Sequence, residues 1–144
     1  MKTGWIGLGA ITVYTYSKNN SIPNNLGVHE GRLAKLPYAR KGVSTQTNNF
    51  EKQIEPMKFK GSLEKSKERI KKIINRYSNS KIIKEEKNYL HVVFESSKMK
   101  FKDDVEFYFN EEKKIIDCRS VARVGYYDFK VNRKRYAKIR EEYR

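Results

Sequence analysis

Apolar and polar residues alternate along the second half of the chain, and this alternation is typical of β-strands. It is clearest where Val105, Phe107 and Phe109 would face one side of a strand while Asp104 and Glu106 face the other. The pattern predicts five strands, over residues 54–59, 81–85, 88–96, 104–110 and 114–124. A turn-forming segment separates the last two, so we expect them to pair as an antiparallel hairpin.

Apolar residues spaced three and four apart predict two helices. The first begins after Gly61, with Ser62 as its N-cap and Glu64 in its first turn. Its expected apolar face consists of Leu63, Ser66, Ile70, Ile73, Ile74 and Tyr77. The second helix covers residues 132–143, and its expected apolar stripe consists of Phe129, Tyr136, Ile139 and Tyr143.

Residues 26–47 show neither the alternation of a strand nor the spacing of a helix, because glycines and a proline interrupt any helix or long strand. We expect an extended, loop-like strap across the domain, held by Leu26, Val28, Leu33, Leu36 and Val43. The predicted fold class is therefore α+β, an antiparallel β-meander of about five strands packed by two helices, with this strap at its N-terminal side. Residues 23–144 are expected to form a single α+β domain.

Residues 1–22 read as an apolar N-terminal segment and linker, and a possible membrane anchor. The apolar run at residues 5–16 lies between Lys2 and Lys18, and it is shorter than the about 20 residues that cross a bilayer. Three interpretations stay open: a short uncleaved anchor, an interfacial segment with aromatic rings at the headgroup level, or an element of the domain. We expect a membrane-associated or cell-envelope protein, with a cytoplasmic location as the alternative.

The composition excludes some kinds of chemical site, but it does not identify the binding partner. The net charge of +15 attracts polyanions such as nucleic acid or anionic lipid, but a lysine- and asparagine-rich composition is also typical of AT-rich genomes. Cys118 is the only cysteine, so a disulfide framework and a thiolate zinc site are excluded. His29 and His91 lack metal-ligand spacing. We expect no cofactor, no metal and no catalytic residue, and the sequence does not determine the oligomeric state.

Charged residues inside the predicted strands are the candidate site. Asp104 and Glu106 share one strand face, and Arg119 and Arg123 share one face of the next strand, so the acids and arginines can be cross-strand partners. The planar guanidinium of arginine binds a carboxylate at two points. Asp128 is expected either to hold Arg133 or to cap the last helix.

Three interpretations of these charges remain. They form a network that pins the last helix to the sheet, or one arginine stays unpaired and binds a phosphate or carboxylate. In the third, Asp104 and Glu106 serve as the acid and base of a hydrolase. The basic last helix adds a nucleic-acid alternative, with Tyr126 and Tyr127 stacking on bases, but no recognised nucleic-acid motif accompanies it.

Four segments carry a family resemblance: PNNLGVHEGRLAKLP at 23–37, GVSTQ at 42–46, FKDDVEFYF at 101–109 and RSVARVGYYDFKVNRKR at 119–135. In this order they resemble the domain-of-unknown-function 1499 family over residues 23–143, a family that often follows an N-terminal membrane or export segment. Family members often carry a cysteine pair at the segment matching 36–43, and this chain has none there. The resemblance implies no activity for its signature polar residues, which map onto Asp103, Asp104, Glu106, Arg119, Ser120, Arg123, Gly125, Asp128, Asn132, Arg133 and Arg135.

The leading hypothesis is a non-enzymatic, membrane-proximal binding or structural module with an arginine-rich anion-binding or network site. Its expected partner is an anionic ligand, a protein or an anionic membrane surface. Nucleic-acid binding and carboxylate-pair hydrolysis are the alternatives, and neither is favoured.

Overall fold

The computed structural model describes residues 3–144 and has three helices and six strands. The elements are α1 Thr3–Asn19, β1 Gly42–Ser44, β2 Met57–Lys58, α2 Leu63–Asn75, β3 Ser80–Glu86, β4 Tyr89–Glu95, β5 Lys102–Asn110, β6 Ile115–Ala122 and α3 Val131–Tyr143. A short 3-10 turn, Phe50–Lys52, precedes β2. The predicted α+β class is confirmed. Lys2 and the side chain of Trp5, which entered the prediction of an N-terminal anchor, lie outside the described part.

All strands pair antiparallel in the order β1-β6-β5-β4-β3, and β2 pairs with the first residues of β6. Strands β3 to β6 form the predicted meander. The sixth strand, β1, was not predicted, because Gly42 was interpreted as a residue that interrupts strands. Gly42 instead permits the pairing, since a Cβ there would lie 2.7 Å from Val121 Cγ2 and 3.0 Å from Ser120 O.

Helices α2 and α3 pack on one face of the sheet and bury the apolar core. Ser62 caps α2 as predicted, because its hydroxyl accepts a hydrogen bond from Lys65 N at 3.1 Å. The predicted inward residues of β5 and the predicted face of α2 are buried, apart from the half-buried Tyr77. The prediction for Phe129 was wrong: it is 74% exposed, because α3 begins only at Val131 and Phe129 lies in the preceding turn.

Residues 26–41 cross the other face of the sheet as an extended strap, which agrees with the strap predicted over residues 26–47 as far as the start of β1. Within it Leu33 is buried, while Leu26, Val28 and Leu36 are half-buried. Backbone groups of the strap bond to side chains of the sheet, since Gly27 N donates to Glu106 and Lys35 O accepts from Arg119.

The end of the sheet where β4 and β6 finish and β5 begins is called the root end, because α1 is fastened there. Asn19 Nδ2 donates to Lys100 O at 2.7 Å, and Lys102 N donates to Asn19 Oδ1 at 2.8 Å. The rest of α1 leaves the domain with its side chains exposed from Gly7 to Lys18, apart from half-buried Thr15. Among residues 3–144, no helix has both the length and the apolar character needed to cross a membrane.

Candidate functional site

On the strap side of the sheet, Asp104 and Arg123 form an enclosed ion pair. Arg123 donates to the carboxylate through Nε at 2.8 Å and Nη2 at 2.9 Å, and His91 Nε2 lies 2.7 Å from Asp104 Oδ1. Burial favours the neutral acid, but the hydrogen bonds from His91 and Arg123 outweigh it and lower the pKa of Asp104. Arg123 Nη1 donates to Asn19 O at 3.0 Å, so this pair also holds the end of α1.

Glu106 is the second buried carboxylate on this face, with no exposed surface. It lies opposite Arg119 in the β5–β6 ladder, and Arg119 Nη1 is 3.4 Å from Glu106 Oε1. The other oxygen accepts from the Tyr89 hydroxyl at 2.6 Å and from Gly27 N at 2.7 Å. Burial, and then the hydrogen bond to Glu106, raises the pKa of Tyr89. The carboxylate therefore ties the strap to the sheet.

The arginine of this pair holds the strap at a second point. Arg119 Nη2 donates to Lys35 O at 3.2 Å, while its Nε is buried without a hydrogen-bond partner among the described residues. Asp117 adds a third tie, because it accepts from Thr45 Oγ1 at 2.6 Å and from Gln46 Nε2 at 3.2 Å. Gln46 in turn donates to the strap carbonyl of Gly31 at 3.1 Å.

On the opposite side of the sheet, Asp103 pairs with Arg135 of α3 at 2.7 Å. Arg135 Nη1 donates to Asn132 Oδ1 at 3.0 Å, and its guanidinium lies 4.4 Å from the ring centroid of Phe94. The Ser120 hydroxyl also donates to Asn132 Oδ1. Burial raises the pKa of Asp103, and the charge of Arg135 opposes that shift. These contacts pin α3 to β5 and β6.

Asp128 caps α3, which is one of the two roles expected for it. Its Oδ1 accepts from Lys130 N at 3.0 Å, and its Oδ2 accepts from Asn132 N at 3.2 Å and Asn132 Nδ2 at 2.9 Å. Arg133 does not pair with it. Arg133 donates to the carbonyls of Glu51 at 2.6 Å and Gln53 at 3.2 Å.

Apart from Gly125, the positions that the resemblance singled out therefore do not form one cluster. The sheet separates Asp104, Glu106, Arg119 and Arg123 on the strap side from Asp103, Ser120, Asn132 and Arg135 on the helix side. Asp128 and Arg133 lie at the start of α3. Sequence reasoning left Tyr89, His91 and Asp117 out of the site, although period-2 geometry places all three on the strap face.

Lys41 is a further buried charge that the sequence did not single out. Its Nζ donates to Arg123 O at 3.2 Å, close to the end of α1. Burial, and then repulsion from Lys18, lowers the pKa of Lys41. The root end therefore contains a buried lysine beside the ion pair of Asp104 and Arg123.

A cleft of about 880 Å³ lies between residues 50–55 and the start of α3. Phe50 and Tyr127 stand at its edge, and both are exposed. Its charged lining residues are Arg40, Glu51, Lys52, Glu55, Asp128, Lys130, Arg133 and Arg140. Arg40 reaches the cleft because its backbone pairs with Tyr127, a contact that no local pattern signals. Cations outnumber carboxylates in this lining, so an anionic group is the ligand that it suits.

The root end also carries exposed apolar side chains. Met99 and Phe101 lie in the β4–β5 hairpin, Tyr126, Tyr127 and Phe129 lie between β6 and α3, and Val131 is the first residue of α3. Lys98 and Lys100 flank Met99, and residues 96–102 contain no acid. Within residues 3–144, no group of three His, Cys, Asp or Glu side chains is placed to hold a metal ion.

Residues 32–143 match the family described as "Protein of unknown function (DUF1499)". This confirms the resemblance drawn from the sequence, and it covers most of the chain. No curated protein and no solved structure was found that matches the chain.

Proposed function

The chain belongs to the DUF1499 family, and from that premise we propose that it is a non-enzymatic, membrane-proximal module attached to the membrane by α1. The carrying observation is that α1 is apolar and, from Gly7 to Lys18, exposed apart from half-buried Thr15. Five of its apolar side chains are between 63% and 72% exposed, and at 3.6 residues per turn they point around the whole circumference. They are Leu8, Ile11, Val13, Tyr14 and Tyr16.

An uncovered apolar helix is costly in water, because burying apolar surface yields about 25 cal/mol per Å². Proteins that stay monomeric in water rarely expose so large a contiguous patch, and a bilayer would cover it. No acidic residue precedes Glu30, so nothing in this part of the sequence repels an anionic headgroup region.

The charged network supports this role as a fastening rather than as a ligand site. Arg123 and Arg135 make their contacts inside the protein, and Arg119 uses both of its terminal nitrogens on Glu106 and the strap. Asp104 and Glu106 are likewise occupied by internal donors, which disfavours an acid–base pair. The network instead fixes the end of α1 and the strap to the sheet.

The test is sedimentation of the full chain with vesicles of phosphatidylcholine, with and without phosphatidylglycerol. We expect the wild type to bind, and the triple variant L8S/I11S/V13S to lose at least about tenfold in affinity. I83S is the matched control, because Ile83 is exposed on β3 away from α1. A wild type that binds neither vesicle, or a triple variant that binds like the wild type, would contradict the proposal.

A second candidate function is anion binding in the 880 Å³ cleft, favoured by its excess of cations. Among the described residues, the side chains of Lys130 and Arg140 make no hydrogen bond or ion pair, so both can receive a ligand. We expect inorganic pyrophosphate to bind by calorimetry, and K130Q/R140Q to weaken binding at least about tenfold. K65Q/K113Q removes the same charge far from the cleft and should bind as the wild type does. Equal binding by both variants would reject the site.

Nucleic-acid binding through α3 is less well supported. Arg133 and Arg135 make internal hydrogen bonds, and Lys138 Nζ lies 5.2 Å from the ring centroid of Tyr77. Retention of the protein on immobilised DNA or RNA that falls steeply as the salt concentration rises would support that alternative.

A further inference from the structure

We propose that the root end of the sheet is a docking face for an anionic lipid bilayer. Two loops form the face: residues 96–101 of the β4–β5 hairpin and residues 126–131, which end at the first residue of α3. The inference rests on the proposed attachment through α1, and it adds which side of the domain meets the lipid and through which side chains.

The first support is the distribution of uncovered apolar side chains. Beyond α1, ten large apolar side chains are exposed among the described residues, and six of them lie on these two loops. The four others are Ile22, Tyr38, Phe50 and Ile83. The turns at the opposite end of the sheet, residues 87–88 and 111–114, contain only charged residues and an asparagine. The root end of the sheet is therefore suited to contact with an apolar environment, whereas the opposite end is suited to water.

The second support is charge. Lys98, Lys100 and Lys102 alternate with Met99 and Phe101, so the hairpin presents ammonium groups beside apolar side chains. This combination suits the headgroup level of a bilayer, where lysine contacts lipid phosphates and aromatic rings lie at the boundary. The acid within the second loop is Asp128, and its carboxylate is already taken by the start of α3.

The third support is that the backbone holds the second loop's aromatic rings outward. Phe129 and Lys130 both have left-handed conformations, with φ of 54° and 63°, which non-glycine residues rarely adopt. Asp128 fixes this turn by accepting from Lys130 N. Tyr127 and Phe129 pack edge to face, with ring centroids 4.8 Å apart. The fold thus keeps an aromatic pair on the surface instead of adding Phe129 to the buried stripe of α3.

The fourth support is continuity with α1. Asn19 at the end of α1 bonds to Lys100 and Lys102 at the base of the hairpin. Its carbonyl accepts from Arg123, which directly follows β6 and leads into the second loop. A bilayer that covers α1 would therefore lie beside the hairpin and close to the start of the second loop, since the end of α1 is bonded to Lys100, Lys102 and Arg123.

Tryptophan fluorescence of the full chain tests the face. In a W5F background, F129W and M99W each place one tryptophan on the proposed face, and I83W places one at an exposed position away from it. With vesicles that contain phosphatidylglycerol, we expect emission from F129W and M99W to shift to shorter wavelength and to be quenched by brominated lipid. The I83W emission should do neither. K98Q/K100Q should weaken binding to these vesicles several-fold, while K65Q/K113Q should not.

The possible outcomes distinguish the docking face from the attachment through α1. Quenching of Trp5 in the wild type without quenching in F129W and M99W would overturn the docking face and leave the α1 attachment standing. Absence of vesicle binding by the wild type would overturn both. A shift in F129W that depends on protein concentration in the absence of vesicles would show that a second copy of the chain covers the face, and would also overturn it. Circular dichroism of each variant controls for folding.

Discussion

Replacing Asp104 by Asn removes the charge that faces Arg123 while keeping the shape of the side chain. In the wild type the two groups are joined at 2.8 and 2.9 Å, and only 2% of Asp104 is exposed. The variant leaves the guanidinium buried opposite a neutral amide. Breaking a buried pair in this way typically costs about 3–5 kcal/mol, a large share of the roughly 5–15 kcal/mol by which a domain is stable.

The same carboxylate gives the prediction a pH signature. The pKa of Asp104 is lowered in the folded protein, so its ionised form is favoured by folding. Its contribution to stability is therefore fully present above the unfolded pKa, about 3.9, and is lost as the pH falls through the lower folded pKa. We expect the stability difference between the wild type and D104N to be largest near neutral pH and to shrink in strong acid.

Urea unfolding followed by circular dichroism, from neutral to acidic pH, measures both effects. E111Q is the control, because Glu111 and Lys87 form an exposed pair at 3.3 Å and such pairs contribute about 0–1 kcal/mol. The double variant D104N/R123M should be less destabilised than the two single variants added together, since it leaves no unpaired charge. A D104N protein within about 1 kcal/mol of the wild type, or a difference independent of pH, would refute the reasoning.

Three further predictions concern single residues. Cys118 is fully buried and its pKa is raised by burial, so thiol reagents should label it only at the rate of unfolding; rapid labelling of the native protein would contradict this. D128A should destabilise the protein by about 0.5–2 kcal/mol in urea, because the cap of α3 is lost, and an unchanged midpoint would count against that role. K130G should stabilise the protein by up to about 1 kcal/mol, since glycine adopts φ of 63° without strain. A lower midpoint of urea unfolding would show that the lysine side chain stabilises the fold by more than the backbone strain destabilises it.

The parts of the fold that local signals determine were predictable. Ser62 and the apolar spacing of α2 are local signals that predict a helix, and alternation predicts the inward side of β5. Strand β1 was missed because it exists only through its pairing with β6. Phe129 was misplaced because two successive left-handed residues without a glycine leave no trace in the sequence.

The contacts of the candidate site were likewise predictable only where a local sequence pattern determines them. Period-2 geometry placed Asp104 and Glu106 on one face and the arginines on a matching face, and the structure brings them together there. It did not indicate that Asp103 would meet Arg135, because that contact depends on how α3 lies on the sheet. Nor did it indicate the carbonyl and amide groups of the strap, since backbone groups are present at every position and carry no pattern.

The hydrogen bond from Arg123 to the carbonyl of Asn19 joins positions 104 residues apart. During synthesis, Asn19 is therefore made well before Arg123. At the roughly 5–20 residues per second of translation, about 5–20 seconds pass between the appearance of the two partners. During that interval α1 has already been made, while β5 and β6, which anchor it, have not been completed. If α1 attaches to lipid as proposed, its capture can precede folding of the sheet, and the strap would then close over β5 and β6 on a chain already held at the membrane.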